Sequence, residues 1–104
     1  MNKDLELAKR VIYRMLENGN RYTAVELSDA AGLGEMDSSA PKARKVILEL
    51  IEDGNVIGSN VKGYQLLTTG KEIQVYLNAL LKRQMGISRR IQAVYDAAQA
   101  KGLL

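Results

Sequence analysis

Three cations, Lys42, Arg44 and Lys45, fall within about one helical turn, directly after the hydroxyls of Ser38 and Ser39. Every one of these groups is a hydrogen-bond donor, and no acid interrupts them. Such a set suits a polyanion: ammonium groups neutralise phosphate, and hydroxyls and free helix-terminal amides donate to its oxygens. Arg44 adds a planar fork that fits two acceptors on a guanine edge. A smaller polar set, Asn60 and Lys62, lies further along. These seven residues are the candidate DNA-binding positions. A different chemistry is spaced along the C-terminal third. Leu77, Leu80, Gln84, Ile87, Ile91 and Val94 alternate in steps of three and four, the spacing of a heptad seam with one polar member. They are the candidate dimerisation surface, and Lys82, Arg83, Arg89 and Arg90 form a basic band beside them.

Much other chemistry is excluded. The chain has no cysteine and no histidine, so disulfides, thiolate or imidazole metal ligands and the usual nucleophile–base pairs are absent. Glu52-Asp53 and Glu35 with Asp37 are adjacent or loop acids with no second ligand set at useful spacing. Gly32-Leu33-Gly34 is too short for a phosphate loop. The expectation is a protein that is not an enzyme, with no cofactor and no metal.

Positioning these groups requires four helices and one hairpin. The first helix is predicted over about Asp4–Asn18, with Leu5, Ala8, Val11, Ile12, Met15 and Leu16 on one face and Asn18-Gly19-Asn20 as its stop. The second starts with a capping box at Thr23-Ala24-Val25-Glu26 and ends at Gly32. A turn containing Glu35 and Asp37 leads to the third, Ala40–Asp53, capped by serine and opened by Pro41. Ala43, Val46, Ile47, Leu50 and Ile51 form its expected buried face, and Lys42, Lys45 and Glu49 point away. A strand at Val56–Gly58, a turn over Ser59–Gly63 and a strand at Tyr64–Leu67 follow. A second capping box, Thr69-Gly70-Lys71-Glu72, begins a helix reaching about Gln99, with Gly86 as a point of bending.

With 104 residues, 46% hydrophobic and 26% charged, the composition is that of an ordinary globular chain. Net charge is +3, unevenly distributed. Residues 1–53 hold eight Lys/Arg against ten Asp/Glu, and residues 54–104 hold seven against two. No apolar run is long enough to cross a bilayer, and Met1–Glu6 lacks the apolar core of a secretory signal, so a cytoplasmic location without membrane contact is expected.

The run Lys45-Val46-Ile47-Leu48-Glu49-Leu50-Ile51-Glu52-Asp53-Gly54, with Val56-Ile57-Gly58-Ser59 and Lys62-Gly63-Tyr64-Gln65-Leu66, resembles winged helix-turn-helix DNA-binding proteins. It is especially similar to small regulators of phage and prophage origin, over about residues 5–83. The elements read above give an α+β fold, mainly α with a small β-hairpin and a long C-terminal helix, and the resemblance implies that the part before that helix is a winged helix-turn-helix. With the C-terminal seam, which lies largely beyond the resemblance, the expected organisation is a winged-helix domain over 1–70 and a helical extension over 71–104 that pairs two subunits through that seam. The resemblance further implies that the helix over 40–53 reads the major groove of double-stranded DNA through Ser38, Ser39, Lys42, Arg44 and Lys45. The wing over 56–67 then contacts the backbone through Asn60 and Lys62. Regulation of transcription in a phage or plasmid setting, by a homodimer, is the leading expectation. The alternatives are DNA positioning in replication or partition, and a protein-interaction module, an adaptor or inhibitor of another regulator, that uses the same fold without DNA.

Overall fold

The computed structural model describes residues 3–103. Its elements run α1 (Lys3–Leu16), α2 (Ala24–Ala30), α3 (Pro41–Glu52), β1 (Ile57–Asn60), β2 (Gly63–Leu66) and α4 (Gly70–Ala100). The architecture is mostly helical, with one two-stranded antiparallel sheet. The chain divides into two units, residues 1–69 and residues 70–104.

In the first unit, Ala8, Ile12 and Leu16 recur every four residues along α1 and are buried with Leu27 of α2 and Val46, Ile47 and Leu50 of α3. Fully burying one such aliphatic side chain contributes roughly 1.5–3 kcal/mol. Ile57 of β1 closes this cluster, and Tyr64 and Leu66 of β2 pack on it half-buried. A smaller group, Ala24, Ala40 and Ala43, lets α2 and the start of α3 approach closely. The capping box of α2 is formed: the Glu26 amide donates to Thr23 Oγ1 at 3.1 Å and the Thr23 amide donates to Glu26 Oε1 at 2.9 Å. One expected core position differs. Ile51 is 39% exposed, because the apolar arc of α3 is centred on Ala43, Val46, Ile47 and Leu50 and Ile51 lies at its edge.

The hairpin is tighter than the spacing suggests. Pairing runs from Ile57 opposite Leu66 to Asn60 opposite Gly63, so Ser59 and Asn60 belong to β1 and only Val61 and Lys62 turn. Asn60 Oδ1 accepts the Lys62 amide at 2.7 Å, and the positive φ the reversal needs falls on Gly63, at +126°. A third extended residue joins β2 on its other edge. Tyr22 and Tyr64 exchange both backbone hydrogen bonds, at 3.0 and 2.7 Å. Arg21 Nη2 donates to Gln65 Oε1 at 2.5 Å, and Gln65 Nε2 donates to the Gly19 carbonyl at 2.8 Å. The segment between α1 and α2 therefore fastens the hairpin, which would be marginal alone.

In the second unit, α4 is a single helix of 31 residues, about 46 Å long. It continues through Gly86 without a break, since one glycine costs only about 1 kcal/mol against the many bonds around it. Gly102, at φ +71°, ends it: the Leu103 amide donates to the Ala98 carbonyl at 2.9 Å and the Gly102 amide to the Gln99 carbonyl at 3.0 Å. None of its residues is buried. Among the described residues no helix is long and apolar enough to cross a membrane.

Candidate nucleic-acid interface

The first two turns of α3 carry the cations. Lys42, Arg44 and Lys45 are exposed, with Ala43, Val46 and Ile47 buried between and behind them. The second half of the helix bears acids instead: Glu52 is exposed, and Glu49 is half-buried with a shielded Oε2 that accepts no hydrogen bond. Asp53, at the C-cap, is paired with Lys9 of α1 at 2.9 Å. Hydrogen bonding to Asp53 outweighs the desolvation of Lys9 and raises the Lys9 pKa above its ordinary value. Positive charge is thus concentrated at the N-terminal end of α3.

The start of α3 departs from the expected serine cap. Its N-cap residue is Ala40, in the left-handed region at φ 46° and ψ 63°, with no side-chain capping bond of its own. The cap comes from Glu35. Its Oε1 accepts the Lys42 amide at 2.5 Å, and its Oε2 accepts the Ala43 amide at 3.3 Å and the buried Ser28 hydroxyl of α2 at 2.7 Å. Desolvation opposes ionisation of Glu35, but the bonds from Ser28, Lys42 and Ala43 and the Lys42 charge outweigh it and hold the pKa below the ordinary carboxylate value. The helix-terminal amides expected to meet phosphate are therefore already satisfied by a carboxylate. This is the principal change from the sequence reading, and it moves anion recognition at this end onto side chains.

The seven candidate residues separate into two groups. Lys42 and Lys45 on α3, and Lys62 at the hairpin tip, are exposed with their ammonium groups outward of the core. Ser38 is exposed in the turn before α3. The other three are engaged within the protein. Ser39 donates its amide to Asp37 Oδ1 at 2.9 Å, and its hydroxyl also bonds Asp37. Those two bonds, against a smaller desolvation, lower the Asp37 pKa. Arg44 Nε donates to the Ser39 carbonyl, and Arg44 Nη1 donates to the Tyr64 hydroxyl at 3.1 Å. Asn60 holds the hairpin turn. Arg44 is accordingly a tie between α3 and β2 rather than an open fork.

Glu35, Tyr22, Tyr64 and Arg21 were not apparent as contributors. The one signal pointing to them was residue type: an acid shortly before a helix, and aromatics flanking a strand. Neither says which distant group is the partner. Beside Lys42 and Lys45 lies an open groove of about 640 Å³ between α1, the end of α2 and α3, with Leu5, Leu7, Leu33 and Val46 in its lining. Among the described residues no three acids gather as a metal site.

No family model matches the chain, and no curated protein or solved structure shows significant similarity to it.

Proposed function

We propose that this protein binds double-stranded DNA as a winged helix. In this reading α3 enters the major groove by its N-terminal half, and the β1–β2 hairpin lies against the flanking backbone. One observation carries the reading: the exposed lysines of α3 lie outside its buried stripe, Lys45 opposite it and Lys42 on its flank, at the end tied to the hairpin through Arg44 and Tyr64. A groove-entering helix needs its cations outward and its flanking ribbon held alongside. Support also comes from the order of elements, three helices and then a hairpin with an extended residue, Tyr22, on its second edge. Lys42, Lys45 and Lys62 serve as phosphate contacts. Regulation of transcription, in a phage- or plasmid-type setting, is the role such a protein most simply serves, with DNA positioning in replication or partition as a variant.

The test is fluorescence anisotropy with random and genomic duplexes across a salt series. Each of Lys42→Ala, Lys45→Ala and Lys62→Ala is expected to weaken binding and to reduce the magnitude of the log–log salt slope by about 2, one phosphate contact being lost from each of two subunits. With three such contacts in each of two subunits, the slope for the unsubstituted protein is roughly −5. A folded triple variant of unchanged affinity overturns the assignment.

A second reading, a protein-interaction module, is favoured by the groove beside the same lysines, where Leu5, Leu7 and Leu33 offer apolar surface. It is supported by a stable protein partner that competes with no duplex and is released by Leu7→Glu.

A further inference from the structure

We infer that Leu48 is a base-reading residue of α3, which meets the methyl group of a thymine in the major groove by van der Waals contact. The inference rests on the DNA reading above and adds to it a preference for T·A at one position of the site. Helix phase puts Leu48 there. Ala43, Val46, Ile47 and Leu50 define the inner line of α3. At about 100° per residue, Pro41, Lys45, Leu48 and Glu52 fall on the opposite line, and all four are exposed. Leu48 is 56% exposed and stands outside the apolar clusters that α3 joins.

Its neighbours decide what it meets. Arg44, Lys45 and Glu52 flank it at spacings of three and four residues, and all are charged. The apolar spot is therefore no wider than Leu48 and its neighbour Ile51. That suits a single methyl group and is too small for the buried centre of a protein interface. The same neighbours leave base recognition at this point to Leu48. Arg44, whose fork matches a guanine edge, is held by the Ser39 carbonyl and the Tyr64 hydroxyl. Lys45, one turn earlier, carries a flexible point charge suited to phosphate. Pro41 is short and offers no donor. Glu52, one turn later, repels phosphate and marks where the entering half of α3 ends. Thymine is the base with an apolar group on its major-groove edge, the C5 methyl, and an aliphatic side chain complements it. Cytosine at the same place presents an amino group that Leu48 would strip of water without bonding.

The test starts with the full chain and a pool of random-sequence duplexes, from which bound molecules are selected and sequenced. An enriched site containing thymine is expected. Each thymine is then replaced by deoxyuridine, which removes the methyl group and nothing else, and affinity is read by fluorescence anisotropy. Replacement of the contacted thymine is expected to lower affinity about fourfold, the value of one buried methyl-sized group, about 0.8 kcal/mol. Leu48→Ala is expected to bind the selected site at least that much more weakly and to be indifferent to the same replacement. It should keep the salt slope, since no cation is lost, and the unfolding midpoint, since Leu48 is exposed. Lys45→Ala should do the converse, with a shallower slope and the fourfold methyl effect retained. Three results overturn this inference and leave the DNA reading standing: an enriched site indifferent to every replacement, a Leu48→Ala variant as sensitive as the native chain, or salt-dependent binding with no enriched sequence. Absence of salt-dependent binding to any duplex overturns both.

Discussion

Gly63 is where the packing of the first unit leaves no room for a side chain. A Cβ built there lies 2.3 Å from the Tyr22 carbonyl oxygen, 2.5 Å from its carbon and 2.9 Å from the Thr23 nitrogen, all backbone atoms that cannot rotate away. Its φ of +126° is also a conformation that L side chains rarely adopt. Gly63→Ala should therefore impose two penalties. Backbone strain costs about 1–3 kcal/mol. Relieving the clash means separating Tyr22 from Tyr64 and losing their two hydrogen bonds, about 0.5–1.5 kcal/mol each. The total is about 4 kcal/mol, a large part of the 5–15 kcal/mol typical of a domain. Gly34→Ala is the matched control: φ is +66° and nothing lies within 4 Å of its built Cβ, so only ~1–2 kcal/mol is expected. The measurement is urea unfolding followed by the NMR methyl signals of Ile12 and Leu27, which report the first unit and not α4. If Gly63→Ala loses no more stability than Gly34→Ala, the close approach of Tyr22 does not hold the hairpin and the reasoning fails.

Three further outcomes can be checked. Glu35 and Asp37 have pKa values below their ordinary 4.5 and 3.8, so the stability they contribute is present above those values and is lost as pH falls through the lowered ones. Urea midpoints between pH 6 and pH 3 should therefore fall less steeply for Glu35→Gln than for the unsubstituted protein; parallel curves would contradict the capping role. Arg44→Ala should lower the unfolding midpoint as well as duplex affinity, because it removes the Ser39 and Tyr64 bonds, whereas Lys45→Ala should change affinity alone. Leu27→Ala, fully buried among α1, α2 and α3, should destabilise the first unit by about 2–5 kcal/mol, and a loss under 1 kcal/mol would mean the core is not closed around it.

What could be read in advance was local. Apolar residues every three or four positions located α1, α3 and α4, and Thr23 with Glu26 located the start of α2, because spacing within one helix decides those features. The hairpin was visible in Val56–Leu67, but its register was not: a two-residue turn depends on Gly63 being able to accept φ +126° beside Tyr22, forty-one positions earlier. The cap of α3 failed for the same reason. Ser38 and Ser39 satisfy a short-range rule, yet Ala40 takes a left-handed conformation and the amides turn to Glu35, which α2 holds through Ser28. Among the candidate contacts, exposure of Lys42, Lys45 and Lys62 followed from helix phase and turn position, while the engagement of Arg44 required knowing where Tyr64 lies.

The Glu35 carboxylate, gripping Ser28 on one side and two amides of α3 on the other, divides the connector 31–40 into stretches with different freedom. Upstream of it, any change in length would shift the register between the two helices it joins. Downstream, Met36 is fully solvent-facing and no part of the clasp passes through it. The chain can therefore be lengthened or decorated at that apex while α2 and α3 stay joined by the Glu35 clasp and by the packing of Ala24 against Ala40 and Ala43, which makes the loop tip a site for variation and the acid before it a fixed point.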